Sequence, residues 1–206
     1  MTASLPGWHR VLDSPWVYAG LMRILGADIS MERLVREHLR VRPGDKVLDL
    51  GCGPGRLFPH LPPVEYHGLD IDAGYLARAR ALYPQARFER GDIAADDARC
   101  TQRDFDVIVA SGLLHHLADA AARRTLSFCH DRLRPGGRLV TLDCAIEAGQ
   151  GFAARLLARS DRGRFVRPGR DYLGLVREAF PDATLVIRHD LLRVPYTHAI
   201  VESRKP

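Results

Sequence analysis

Short apolar runs alternate along this chain with stretches in which apolar residues recur at helical spacing. Runs at 46–50, 66–70, 86–89, 106–111, 138–143, 184–188 and 197–202 read as strands. Two of the stretches around them carry a clear helical stripe. In 30–40, Met31, Leu34, Val35 and Leu39 share one face, and Ser30 is placed to cap the start. In 119–133, Ala122, Leu126, Cys129 and Leu133 fall on one face, with Asp119 as the expected N-cap. Pro135-Gly136-Gly137 then predicts a turn before the next strand. Strands alternating with helices after residue 45 predict an α/β fold, a doubly wound and largely parallel sheet between two helical layers. At 206 residues the whole chain, 1–206, reads as one domain.

One run adds chemistry to this pattern. Val47-Leu48-Asp49-Leu50 is a buried strand, and Gly51-Cys52-Gly53-Pro54-Gly55 ends it with three alternating glycines. A turn this tight needs residues without Cβ, either to reach positive φ or to admit a ligand close to the backbone. Asp70 closes the next strand, Tyr66-His67-Gly68-Leu69-Asp70. A glycine turn after the first strand and an acid at the tip of the second is how an α/β sheet holds a nucleoside. The dinucleotide pattern G-x-G-x-x-G would need glycine at position 56, where Arg56 stands, and no phosphate loop of the G-x-x-x-x-G-K-[ST] kind is present.

With D-x-G-x-G-x-G over Asp49–Gly55, Gly91-Asp92-Ile93 after the third strand and Leu114-His115-His116-Leu117 after the fourth, the chain resembles the class I S-adenosylmethionine-dependent methyltransferases of the small-molecule type. The resemblance spans about residues 30–143. It implies a three-layer sheet of seven mostly parallel strands whose last strand enters antiparallel as a hairpin, and S-adenosyl-L-methionine as cofactor. It also implies roles. Asp49 would reach the methionyl end of the donor. Gly51, Cys52 and Gly53 would let the backbone approach. Asp70 would take the ribose diol, with Ile71 on the adenine face. Asp92 would accept from the adenine amino group, Ile93 would cover the other side of the ring, and Ser111 would lie beneath the cofactor.

On the acceptor side, His115 is the candidate base, because an imidazole titrates near neutrality and can take a proton from a hydroxyl. His116 is expected to hydrogen-bond within the turn, its ring pointing away from that of His115. The competing reading makes both histidines structural. Residues 1–29, with Trp8, Trp16 and Tyr18, form either a packing helix or a lid that brings Tyr18 to the acceptor. The stretch 144–182 is longer than one connecting helix needs. Its six arginines between 155 and 170, with only Asp161 among them as an acid, are either a solvated face or a cap in which Arg162, Arg164 and Arg167 hold an anionic acceptor group.

Composition narrows the classes. Hydrophobic residues make up 46% and charged residues 27%, as in ordinary globular proteins. No uninterrupted apolar stretch of membrane-spanning length and no basic leader with an apolar core occurs, so a cytoplasmic protein is expected. The four cysteines form no C-x-x-C pair, which suits reduced thiols. The nine histidines show no metal-ligand spacing, and no metal is expected. The net charge of +5 comes from scattered arginines. Neither the Asn/Asp-Pro-Pro-Tyr/Phe motif of base amino methylation nor a Pro-Cys nucleophile is present, so a nucleic-acid partner is not expected. The reading is an enzyme that methylates an oxygen or nitrogen of a small metabolite or glycan precursor, an anionic one if the arginines form a cap rather than a solvated face. An RNA or DNA methyltransferase and a non-catalytic cofactor-binding regulator are the alternatives. Oligomeric state is left open.

Overall fold

The computed structural model describes residues 27–93, 95, 100–159 and 163–206. Tyr18, Arg162, Asp161 and most of the N-terminal arm lie outside the described residues. The strands are β1 (Lys46–Leu50), β2 (Glu65–Asp70), β3 (Arg87–Arg90), β4 (Phe105–Ser111), β5 (Leu133–Cys144), β6 (Thr184–Arg188) and β7 (His198–Arg204). The helices are α1 (Ala27–Arg33, continued in π-helical form through Leu34–Leu39), α2 (Ala73–Leu82), α3 (Asp119–Arg132), α4 (Phe152–Arg159) and α5 (Gly169–Ala179).

The strands form one sheet in the order β3-β2-β1-β4-β5-β7-β6. β1 pairs in parallel with both β2 and β4, β2 with β3, and β4 with β5. β7 runs antiparallel between β5 and β6, as the predicted hairpin. The period-2 alternation of β1 explains the layers. Leu48 and Leu50 pack on one face with Leu126 of α3 and with Tyr172 and Val176 of α5. Val47 packs on the other with Leu34 and Leu39 of the first helix and Leu76 of α2. Helices cover both faces, as parallel strands buried on both sides require.

Two predicted helix starts are corrected. Ser30 is an interior residue of α1 and is buried, because the helix is already under way at Ala27. Asp119 is the first helical residue of α3 and Ala118 stands at the N-cap without a side-chain bond, because the Asp119 carboxylate is drawn to Arg167 instead. Pro135-Gly136-Gly137 does not separate helix from strand cleanly. β5 starts at Leu133, opposite Phe105, and the register resumes only at Arg138, opposite Val107, so the three residues lie in an irregularity within the strand.

Candidate active site

In open α/β sheets the ligand crevice lies beyond the carboxyl ends of the strands where the strand order reverses. Here that point falls between β1 and β4, and most of the sequence-predicted residues gather on it. Gly51 and Gly53 have φ of 69° and 53°. A Cβ at Gly53 would meet nothing within 4 Å, so the conformation rather than crowding demands glycine there, and the space above the turn stays open. Asp70 holds this turn in place. Its Oδ2 accepts from the Gly53 backbone N–H at 2.7 Å, and its Oδ1 from that of Asp72 at 2.8 Å. Asp72 in turn caps α2 by accepting from the Tyr75 N–H. The acid at the tip of β2 is therefore built into the loop.

Ile71 is 58% exposed beside Asp70, an apolar face at the mouth of the crevice. Arg90 donates to its carbonyl and fixes the backbone there, a contribution the sequence did not signal. Asp92 is half-buried and accepts from the Ala95 N–H; Ile93 is buried and belongs to the core. Ser111 ends β4, half-buried, as expected.

Asp49 and Cys52 sit deeper than the sequence suggested. Leu50 closes β1, and Asp49 lies one residue inside it. The Asp49 carboxyl is 3% exposed and accepts from the Tyr66 hydroxyl at 2.6 Å. Burial pushes its pKa up to about 7 against the opposing effect of that hydrogen bond, and nearby Asp70 pushes the same way. Cys52 is buried against Tyr66 and Phe88, so only its backbone can face the crevice, and burial pushes its thiol far up.

The turn after β4 carries His115 and His116 in a single 3₁₀ turn, Leu114–His116. The expectation that their rings diverge is corrected: the centroids lie 4.2 Å apart at 40°, one ring against the other. His115 is buried and His116 exposed. His115 has a partner that the sequence analysis missed, Asp143 at the end of β5. Asp143 Oδ1 lies 3.1 Å from the His115 backbone N and 2.9 Å from its ring Nδ1. A signal for it existed. Leu142-Asp143 closes an apolar strand in the same way as Leu69-Asp70.

Arg167 is corrected most strongly. Only 8% of it is exposed, and all five of its side-chain N–H groups have acceptors. Nε and Nη2 reach Asp119 Oδ1, Nη1 reaches the carbonyls of Leu114 and Phe165, and Nη2 also reaches that of Leu117. Its backbone N–H donates to the Tyr172 hydroxyl, which itself donates to the Cys144 carbonyl. Arg167 thus fastens the histidine turn from behind and has no donor left for an acceptor anion. Arg164 is exposed. The segment 163–167 packs onto the turn, with the Phe165 N–H donating to the His115 carbonyl and Gly163 so close that a Cβ there would run into the His115 ring.

Among the described residues no three His, Cys, Asp or Glu side chains are grouped to hold a metal ion, and no helix is long and apolar enough to cross a membrane.

Known methyltransferases resemble this chain in sequence and fold. A family model described as a methyltransferase domain matches residues 47–137. An uncharacterized methyltransferase of Synechocystis is 34% identical over 135 residues, 63% of this chain and 63% of that protein. A trans-aconitate 2-methyltransferase of Deinococcus radiodurans is 38% identical over 103 residues, 48% of this chain and 37% of that one. The chain therefore spans less than two thirds of these relatives' length. Among solved structures, a TehB-like SAM-dependent methyltransferase from Corynebacterium glutamicum superposes with a TM-score of 0.61 at 26% identity, covering 91% of this chain and 96% of that one.

Proposed function

Because the chain belongs to the class I S-adenosylmethionine-dependent methyltransferases, we propose that it transfers the methyl group of S-adenosylmethionine to an oxygen or nitrogen of a small molecule. The observation that carries the reading is the Asp70–Gly53 clasp at the strand-order reversal, with the histidine turn of β4 on the same edge of the sheet.

The residues suit the cofactor. Asp70 retains lone pairs for a ribose diol beyond its two backbone bonds, since a carboxylate has about four acceptor sites. Ile71 offers an apolar face to the adenine, and Asp92 a carboxylate for its amino group. Asp49, next to the glycine turn, would serve the methionyl end. Bound, the cofactor supplies a methyl group already activated by a positively charged sulfur. The chain's tasks are then to orient the acceptor in line and to receive its proton. His115 is the group for the second task. An anionic acceptor, the reading built on Arg162, Arg164 and Arg167, loses its best-placed residue, since Arg167 is engaged within the fold.

Calorimetry on the free protein should show binding of S-adenosylmethionine and none of NADH; the reverse outcome would sink the cofactor assignment. Turnover of isotope-labelled donor against a metabolite extract then separates an enzyme from a cofactor-binding regulator, and against RNA or DNA it tests the nucleic-acid alternative.

Asp70→Ala should weaken donor binding by about 1.5–3 kcal/mol, the worth of a hydrogen bond to a charged group. The same substitution should lower the thermal midpoint of the ligand-free protein, because the Gly53 and Asp72 amides lose their acceptor. Unchanged affinity alongside a lowered midpoint would make Asp70 a loop fastener alone.

A further inference from the structure

Helix α4 is turned inside out. It buries its smallest residues, Ala154 and Ala158, at 8% and 1% exposure, and points its largest outward. Phe152 is 83% exposed, Leu156 53% and Leu157 38%. At about 100° per residue, Phe152, Leu156, Ala153 and Leu157 sweep one continuous apolar arc of about 140°. Arg159 and the half-buried Arg155 border that arc on one side. A helix that serves only its own core does the reverse and turns its large apolar residues inward. Single exposed leucines need no explanation, but a contiguous face of this kind marks a contact.

Charge narrows what the contact is with. Between 145 and 170 the chain carries six arginines and two acids, Glu147 and Asp161. Glu147 accepts from the Gly169 N–H, and Arg167 is engaged within the fold. Arg159, Arg164 and Arg170 are exposed, the last beside Asp171. Residues 1–26 are apolar enough to cover the face, but they bring Arg10 and Arg23 against Asp13 alone and so add charge of the same sign. A second copy related by a two-fold axis would set the same arginines against one another. An anionic lipid surface meets both halves of the requirement. It takes up apolar side chains and attracts the arginines beside them.

We propose that α4 docks the chain on an anionic bilayer, with Phe152, Leu156 and Leu157 entering the interface and Arg159 meeting lipid phosphates. The helix lies in the plane of the interface and spans nothing. Arg164 and Arg170 add to the long-range attraction. Docking here also places the candidate active site. Arg159 stands four residues before Gly163, which packs against the His115 ring. The end of α4 therefore lies within about 14 Å of Gly163, the reach of four extended residues. A docked chain holds its histidine turn near the headgroups. The docking stands apart from the methyl-transfer reading and does not depend on it.

Cosedimentation of the full chain with sucrose-loaded vesicles tests this. The chain should bind vesicles of equal phosphatidylglycerol and phosphatidylcholine, bind phosphatidylcholine alone far less, and lose binding as salt rises. Phe152→Gln with Leu156→Gln should lower the partition coefficient by at least roughly tenfold, and Arg159→Gln by roughly fivefold. Without lipid, the thermal midpoint of the double variant should move by less than about 2 °C, because glutamine is a good helix former and the side chains it replaces are mostly exposed. Failure to bind the anionic vesicles leaves an acidic protein surface as the partner and overturns the proposal. Equal binding to both kinds of vesicle, or binding indifferent to the double variant, overturns it too. A midpoint that falls by many degrees would show the face covered within the chain. A lipid-free dimer that the double variant dissociates would show it covered by a second copy. Either result overturns membrane docking.

Discussion

Arg167→Ala should lower the thermal midpoint by about 6–12 °C, from a loss of about 3 kcal/mol at 2–4 °C per kcal/mol for a chain of this size. The cost comes from the buried end of the side chain. The carbonyls of Leu114, Leu117 and Phe165 lose charged donors in a place water reaches poorly. The pair with Asp119 adds little, because Asp119 is 61% exposed at its side chain and solvent screens it. Asp119→Ala should therefore be much milder than Arg167→Ala, although both remove the same ion pair. Arg167→Lys should rescue poorly, since three donors on one nitrogen cannot replace five in a planar fork. Thermal unfolding of the three variants distinguishes this from the anion-anchor reading. That reading needs Arg167→Ala to fold with wild-type stability and to raise only the acceptor KM.

Arg167 also shows where the sequence stops being legible. Counting neighbours along the chain found Asp161 as the only acid near the arginines. The fold supplies Asp119, 48 residues away, and three carbonyls from a turn that no periodicity connects to residue 167. The sheet was readable because its inner strands are buried on both faces and so appear as continuous apolar runs. The glycine turn was readable because glycines and strand-tip acids answer to local geometry: positive φ at Gly51 and Gly53, and a carboxylate one strand away at Asp70. The caps failed at Ser30 and Asp119 because capping is a competition. Each side chain had another fate, burial in a longer helix for Ser30 and a distant guanidinium for Asp119. The His115–Asp143 pair escaped for a related reason. It joins the tips of β4 and β5, which become neighbours only when the strands pair in register, Ser111 opposite Leu142.

Asp49→Asn should stabilise the ligand-free protein at pH 8 while weakening its hold on the donor. Burial raises the Asp49 pKa from the usual 3.8 to about 7 in the folded chain. Between these values the folded state holds a proton that the unfolded state has released. Stability from this group is thus fully present below pH 4, falls as pH rises, and is lost above pH 7. The fall is on the order of 4 kcal/mol, at about 1.4 kcal/mol per pH unit. Asparagine keeps an oxygen for the Tyr66 hydroxyl and has nothing to ionise. The variant should match the wild type near pH 4 and exceed it at pH 8 by about 2–4 kcal/mol, less whatever its added amide protons cost for want of partners. Such a standing cost at neutral pH fits a group kept for a ligand rather than for the fold. A cation brought over Asp49 favours its charged form. Donor binding near pH 7 should therefore release protons from the wild type, seen by calorimetry in two buffers of different ionisation enthalpy, and the release should vanish in Asp49→Asn. Parallel stability curves for the two proteins from pH 4 to 8 would show that Asp49 is ionised throughout. An unchanged proton release in the variant would place the titrating group elsewhere.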